Sequence, residues 1–170
     1  VFVGSFLLLY PVWAWTLAKP SRYRAANRWR RFWAHIVFIG MGMPWKLEGV
    51  ERLDPEAQYI FTPNHSSALD IPLFALCWKG DYRFLAKKEW GDVPIFGIFF
   101  RTVDLMVDRR TKIGAYKAYL ASKAALDSGD SLVVYPEGRM QDEGRRLHPF
   151  KSGPFKLAIQ TGGPIVPITF

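Results

Sequence analysis

The sequence predicts an α/β protein: a central mixed β-sheet flanked by helices, preceded by an N-terminal helical membrane-anchoring module. Three observations carry that expectation. From Trp45 onward, short apolar runs of strand type alternate with helical patterns, the order that builds a sheet with helices packed on it. Ahead of Trp45 the chain is first apolar, then basic and Trp-rich, with no acidic residue before Glu48, which suits a lipid interface. A length of 170 residues is enough for one domain with a full core.

Residues 1–18 carry no charge and break at Lys19-Pro20. As one helix rising about 1.5 Å per residue they reach roughly 27 Å, marginal for a span and adequate for a re-entrant or interfacial segment; a buried core helix is the alternative. No basic region precedes them and no small-residue cleavage site follows, which argues against a signal peptide. Arg22, Arg24, Arg28, Arg30 and Arg31 come next, and Trp29, Trp33, Ile36, Val37 and Gly40 recur at helical spacing. Residues 21–41 therefore read as a helix, basic then apolar, that anchors on an anionic membrane surface and puts this end on the cytoplasmic side. His35 reads as a packing residue. Pro44 marks the junction between membrane-associated helices (1–43) and the α/β domain (44–170).

Strand-like runs follow at 45–50, 57–61, 83–86, 103–107, 131–135 and 165–169. The clearest helix is 111–128, closed by Gly129, with Ile113, Tyr116, Leu120, Ala124 and Asp127 marking its faces. Cys77, the single cysteine, lies in an apolar run, so no disulfide framework exists and the thiol is expected to be buried. The chain opens on Val1 rather than Met and stops on Phe170 straight after a strand-like run, and so reads as part of a longer protein. A formal net charge of +8 calls for an anionic partner. Nucleic acid is the poorer candidate, because the basic residues cluster beside apolar, Trp-rich helices instead of covering a globular face.

Three stretches carry chemistry. In Thr62-Pro63-Asn64-His65-Ser66-Ser67-Ala68-Leu69-Asp70, His65 and Asp70 are five apart, about 140° around a helix, so both are not helical and paired. With His65 in a strand-to-helix turn and Asp70 opening the helix, the carboxylate can orient the imidazole and leave its other nitrogen as a base. Asp70 as a plain helix cap, with Pro72 in the first turn, is the competing structural reading. Arg109 stands beyond the strand-like run 103–107, where parallel sheets bind ligands, and a guanidinium there suits phosphate; the alternative is a solvated charge paired with Asp108. In Tyr135-Pro136-Glu137-Gly138-Arg139, Pro and Gly bracket a carboxylate after an apolar strand, although a turn alone explains the Pro and Gly.

Taken together, Asn64-His65 with Asp70 resembles the NHxxxxD motif of the glycerolipid acyltransferases, the family of 1-acylglycerol-3-phosphate acyltransferases. Val107-Asp108-Arg109, Tyr135-Pro136-Glu137-Gly138 and Ile165-Val166-Pro167-Ile168 are similar to its second, third and fourth motifs, in the family's order. Phe150-Lys151-Ser152-Gly153 resembles its FKxG segment. The resemblance implies a glycerol-3-phosphate acyltransferase-like fold and transfer of a fatty acyl group from acyl-CoA or acyl carrier protein to the free hydroxyl of a lysophospholipid, giving phosphatidic acid. His65 would be the general base and Asp70 its orienting partner. Arg109 and Lys87 would hold the acceptor phosphate, and Glu137 with Gly138 the glycerol or its neighbours. Asn64 and the backbone N–H groups of the turn would steady the loop or the oxyanion. No cofactor or metal is implied, since a thioester leaves readily.

The chain departs from the family pattern in two places. The glycine six residues before Arg109 is Val103, and Arg139 follows Gly138 one place early, with Arg145 or Arg146 as possible substitutes. The alternatives are therefore acyl transfer to a lysophospholipid with another headgroup, a transacylase, and a non-catalytic membrane-surface binding protein. Phe96, Phe99 and Phe100 are expected to line an acyl pocket.

Overall fold

The computed structural model describes residues 1–140 and 147–170. Ile60–Pro63 (β1), Tyr82–Lys87 (β2), Leu105–Val107 (β3), Ser131–Val133 (β4) and Ile165–Ile168 (β5) form one five-stranded sheet in the order β3-β2-β4-β1-β5. Every pairing is parallel, so the expected mixed sheet is a parallel one. The expected strand at 45–50 does not form. Gly49 takes φ 85° and feeds a single 3-10 turn, Val50–Arg52, a left-handed position that ends extended chain before it meets a partner. Trp45 packs its ring against Phe38 and His35 instead.

The helices are Phe2–Leu8 (α1), Tyr10–Leu17 (α2), Tyr23–Gly40 (α3), Asp70–Cys77 (α4), Gly97–Phe100 (α5), Lys112–Asp127 (α6) and Gly153–Thr161 (α7). Strand residues alternate between two cores, as a period of two requires. Phe61 and Val133 face Phe74 of α4. Ile60, Leu132 and Val134 face Ala125 and Leu126 of α6 and Leu157 of α7. Parallel strands are joined by right-handed crossovers, so connections that run in opposite directions across the sheet lie on opposite faces. The chain from β1 steps over β4 to β2 with α4 on one face, while the chain from β4 steps over β1 to β5 with α7 on the other. The neighbours β1 and β4 thus send their following segments apart, and a crevice opens beyond their carboxyl ends.

Residues 1–18 form two helices rather than one, with Leu9 between them and Pro11 in the first turn of α2, where a missing N–H costs nothing. Phe6, Trp13 and Leu17 turn inward and join Trp33, Val37 and Phe38 of α3 in the same core as Phe61, Phe74 and Phe84. Among the described residues no helix is long and apolar enough to cross a membrane. Part of the arginine-rich stretch serves the fold: Arg30 is buried, Arg31 is half-buried, and Arg24 and Arg28 stay exposed. Arg30 is buried on Asp104 at 2.5 Å, Arg31 donates to the carbonyls of Ala75 and Trp78 at the end of α4, and Arg24 pairs with Asp81 at 2.8 Å. Phe96 and Phe99, expected around an acyl pocket, are packed against Phe6 and Trp13 at ring distances of 4.3 and 5.2 Å, and Phe100 lies beside Trp90.

Candidate active site

The turn after β1 is closed by its own hydrogen bonds. Asp70, the first residue of α4, is buried, and its Oδ2 accepts from the backbone N–H groups of Ser66 (2.7 Å) and Ser67 (2.9 Å). That oxygen also lies 2.9 Å from His65 Nδ1. A carboxylate only accepts, so Nδ1 carries the proton and Nε2 is left with its lone pair. The helix-cap reading of Asp70 does not hold: Leu69 is the N-cap, without a side-chain cap, and Asp70 turns back from the first helical position to hold the amides of the preceding turn and to orient the imidazole.

The neighbouring turn after β4 supports this one. Glu137 is 2 % exposed; Oε1 accepts from the His65 N–H (3.0 Å) and Oε2 from the His148 N–H (2.8 Å). Its carboxylate meets the backbone of two loops. Gly138 has φ 74°, and a Cβ there would sit 2.8 Å from Arg109 Nη1, so both conformation and space favour glycine. Arg109 crosses from the end of β3 and donates to the Gly138 carbonyl at 2.6 Å. Partial burial pulls its guanidinium pKa down, and Glu89 opposes that. Lys87 ends β2, in register with Val107 of β3, and its ammonium lies 3.5 Å from Glu89. His65, Glu137, Gly138, Arg109 and Lys87 thus gather at the carboxyl ends of four adjacent strands, the end where such sheets bind ligands.

Two expected site residues are tied to neighbouring loops. Asn64 stitches β1 to the chain after β5: its N–H donates to Ile168 O (3.2 Å) and its Oδ1 accepts from Phe170 N–H (2.8 Å). The N–H groups of residues 64–67 are all engaged, on Ile168, Glu137 and Asp70, which leaves none of them to an oxyanion. Arg139 Nη2 lies 3.1 Å from His148 Nδ1, turned along its own loop. Arg145 and Arg146, the expected substitutes for the displaced arginine, lie outside the described residues. Lys151, from the FKxG-like segment, donates its N–H to Pro136 O (2.8 Å) and holds that segment against the turn.

Two contributors were not read from the sequence. His148, buried at 4 % exposure, closes the far side of Glu137 from a polar stretch without pattern. Tyr135 lays its ring along the His65 imidazole, centroids 4.1 Å apart and planes 25° apart. Its place next to Pro136 was legible; its neighbour was not. Among the described residues no cluster of His, Cys, Asp and Glu is arranged to hold a metal ion.

A family model described as "Acyltransferase" matches residues 45–170. A 1-acyl-sn-glycerol-3-phosphate acyltransferase of Cocos nucifera is 33% identical over 153 residues, 87% of this chain and 48% of the relative. One of Helicobacter pylori is 34% identical over 121 residues, 67% of this chain and 51% of the relative. The chain thus spans about half the length of these curated relatives. The crystal structure of the 1-acyl-sn-glycerophosphate (LPA) acyltransferase PlsC from Thermotoga maritima superposes with a TM-score of 0.73 at 21% identity, over 98% of this chain and 71% of that one, a likeness of fold. Since the family match takes in the sheet, the His65–Asp70 turn and the Glu137 loop alike, the chain belongs to the acyltransferase family.

Proposed function

We propose that this chain carries the catalytic domain of a 1-acylglycerol-3-phosphate O-acyltransferase, which moves a fatty acyl group from acyl-CoA or acyl carrier protein to the free hydroxyl of lysophosphatidic acid. The observation that carries the reading is the His65–Asp70 pair at 2.9 Å, set at the mouth of the crevice between β1 and β4. His65 Nε2 takes the proton of the acceptor hydroxyl as its oxygen attacks the thioester carbonyl. The tetrahedral intermediate collapses, the C–S bond breaks, and the imidazolium returns the proton to the leaving thiolate. Asp70 holds the ring in the tautomer this needs, and no acyl-enzyme, metal or cofactor takes part. Arg109, with Lys87 nearby, meets the acceptor phosphate; Glu137, Gly138 and Asn64 serve by fixing the loops that carry His65 and Arg109.

A membrane surface is the natural source of the acceptor, and the outer faces of the first three helices suit one. Leu8, Trp15, Phe32 and Ile39 stand 81, 57, 51 and 68 % exposed, large apolar side chains that suit contact with lipid. On this reading the domain lies on the bilayer, on its cytoplasmic side, instead of spanning it. Arg139 favours a second reading of the acceptor alone: its guanidinium lies on His148, so a lysophospholipid with another headgroup is the alternative to test.

The deciding experiment is thiol release from acyl-CoA in detergent, with and without lysophosphatidic acid, for wild type and His65→Ala. Release that needs both the acceptor and His65 is expected, with a loss on the order of 10²–10⁴-fold in the variant. A folded His65→Ala protein with full activity overturns the mechanism, and competition among lysolipids assigns the headgroup.

A further inference from the structure

We infer that Tyr135 is a positioning residue for His65, acting through the flat face of its ring and not through its hydroxyl. The inference rests on the reading of His65 as the base. The hydrogen bond to Asp70 fixes one atom of the imidazole, and a ring held at one nitrogen still swings about that contact. The Tyr135 ring, 4.1 Å from the imidazole centroid and 25° from its plane, closes off that swing on one side.

Further rings stand behind Tyr135. Phe84 of β2 stacks on it with planes 2° apart and centroids 6.4 Å apart, and Phe84 in turn packs on Phe74 and Tyr82 in the core. The backbone is held as well, by Gly138 N–H on the Tyr135 carbonyl and Lys151 N–H on that of Pro136. His65 thus sits at the end of a stack of rings that begins in the core. The outer edge of Tyr135 remains partly exposed, whereas its hydroxyl is enclosed and has no hydrogen-bond partner among the described residues. A buried hydroxyl without a partner is a cost, so the ring is the part that serves. Its π face also lies against the imidazole at the moment the ring takes up a proton and becomes a cation, a favourable arrangement.

The test separates ring from hydroxyl and position from folding. In proton NMR of the whole protein, with His65→Ala used to assign the resonances, the carbon-bound protons of His65 are expected upfield in wild type through the ring current of Tyr135. They stay upfield in Tyr135→Phe and move back in Tyr135→Leu. In the acyl-transfer assay Tyr135→Leu loses about ten- to a hundredfold in kcat, the range that small misplacements cost, with KM for donor and acceptor nearly unchanged, while Phe restores most of kcat. Melting temperatures are read in parallel, and Tyr135→Met replaces Leu if the latter unfolds below the assay temperature. Wild-type kcat in both aliphatic variants, or an equal fall in Phe and Leu, overturns the proposal. Unshifted His65 protons in wild type overturn it without touching the proposed activity, and full activity in His65→Ala overturns the reading of His65 as the base while the NMR result still reports the stack.

Discussion

Glu137 shows how much one side chain can hold. Both of its oxygens accept backbone N–H groups, of His65 and His148, in a site with almost no access to water. Glu137→Gln keeps the shape but sets an amide N–H₂ against one of those N–H donors, so a hydrogen bond is lost and two donors face each other. The expected cost is about 1–3 kcal/mol, read as a lower melting temperature, together with a fall in kcat because the His65 backbone is released. Unchanged stability and an effect on acceptor KM alone would return Glu137 to the substrate. Its type and its place in a turn were legible from Pro136 and Gly138. The direction of its carboxylate was not, because the loops it joins are 72 and 11 residues away in the chain.

Among the elements, α3 is tied to the sheet by the buried pair of Arg30 and Asp104, whose side chains are 8 % and 2 % exposed. Asp104 Oδ1 also accepts from the N–H of Phe84 in β2 (3.0 Å), and the guanidinium lies 4.2 Å from the Phe99 ring centroid. Burial raises the Asp104 pKa, with Arg30 opposing it. Arg30→Ala removes that opposition and leaves a buried carboxylate unpaired, at a cost of about 3–5 kcal/mol; denaturant unfolding of wild type and variant measures it, and a change under 1 kcal/mol would mean that the pair is solvated. The helix itself was legible from the spacing of Trp29, Trp33, Ile36 and Val37, but its basic residues read as an anchor for lipid. A charged residue and its buried partner are indistinguishable in sequence from two solvated ones. Helix α6 makes the same point with apolar residues. Ile113, Tyr116 and Leu120 point outward at 70, 61 and 45 % exposure, and the small Ala118, Ser122 and Ala125 face inward. Both stripes have helical spacing, and the smaller one lets the helix approach the sheet closely.

For the molecule as a whole, alkaline pH is the condition that tests the shared core. Burial pushes the Tyr82 hydroxyl from its usual 10 up to about 12, with Arg30 opposing, and raises that of Tyr135 as well. A group whose folded value lies above its unfolded one contributes stability that is whole below pH about 10 and is lost as pH rises through about 12, worth roughly 3 kcal/mol for Tyr82. Denaturant midpoints are expected to fall across that window, and Tyr82→Phe to flatten the fall. An equal slope in the variant would assign the loss to other groups. Because the N-terminal helices and the sheet share this core, their unfolding is expected to coincide.

By itself, the sequence determined the parts that depend on local order. Alternating short strands and helices specified an α/β sheet, and a five-residue step from His65 to Asp70, with Pro72 just inside the helix, specified a turn in which the carboxylate can reach the imidazole. Only the tertiary structure decided what depends on strands far apart in the chain becoming neighbours. The order β3-β2-β4-β1-β5 put Tyr135 on the face of His65, Glu137 beneath its backbone and Arg109 across Gly138. It also drew Arg30 into the core. The physical reason is that local hydrogen bonds are selected by spacing along the chain, whereas a stack, a latch or a buried ion pair is selected by which surfaces the sheet brings within a few ångströms of one another.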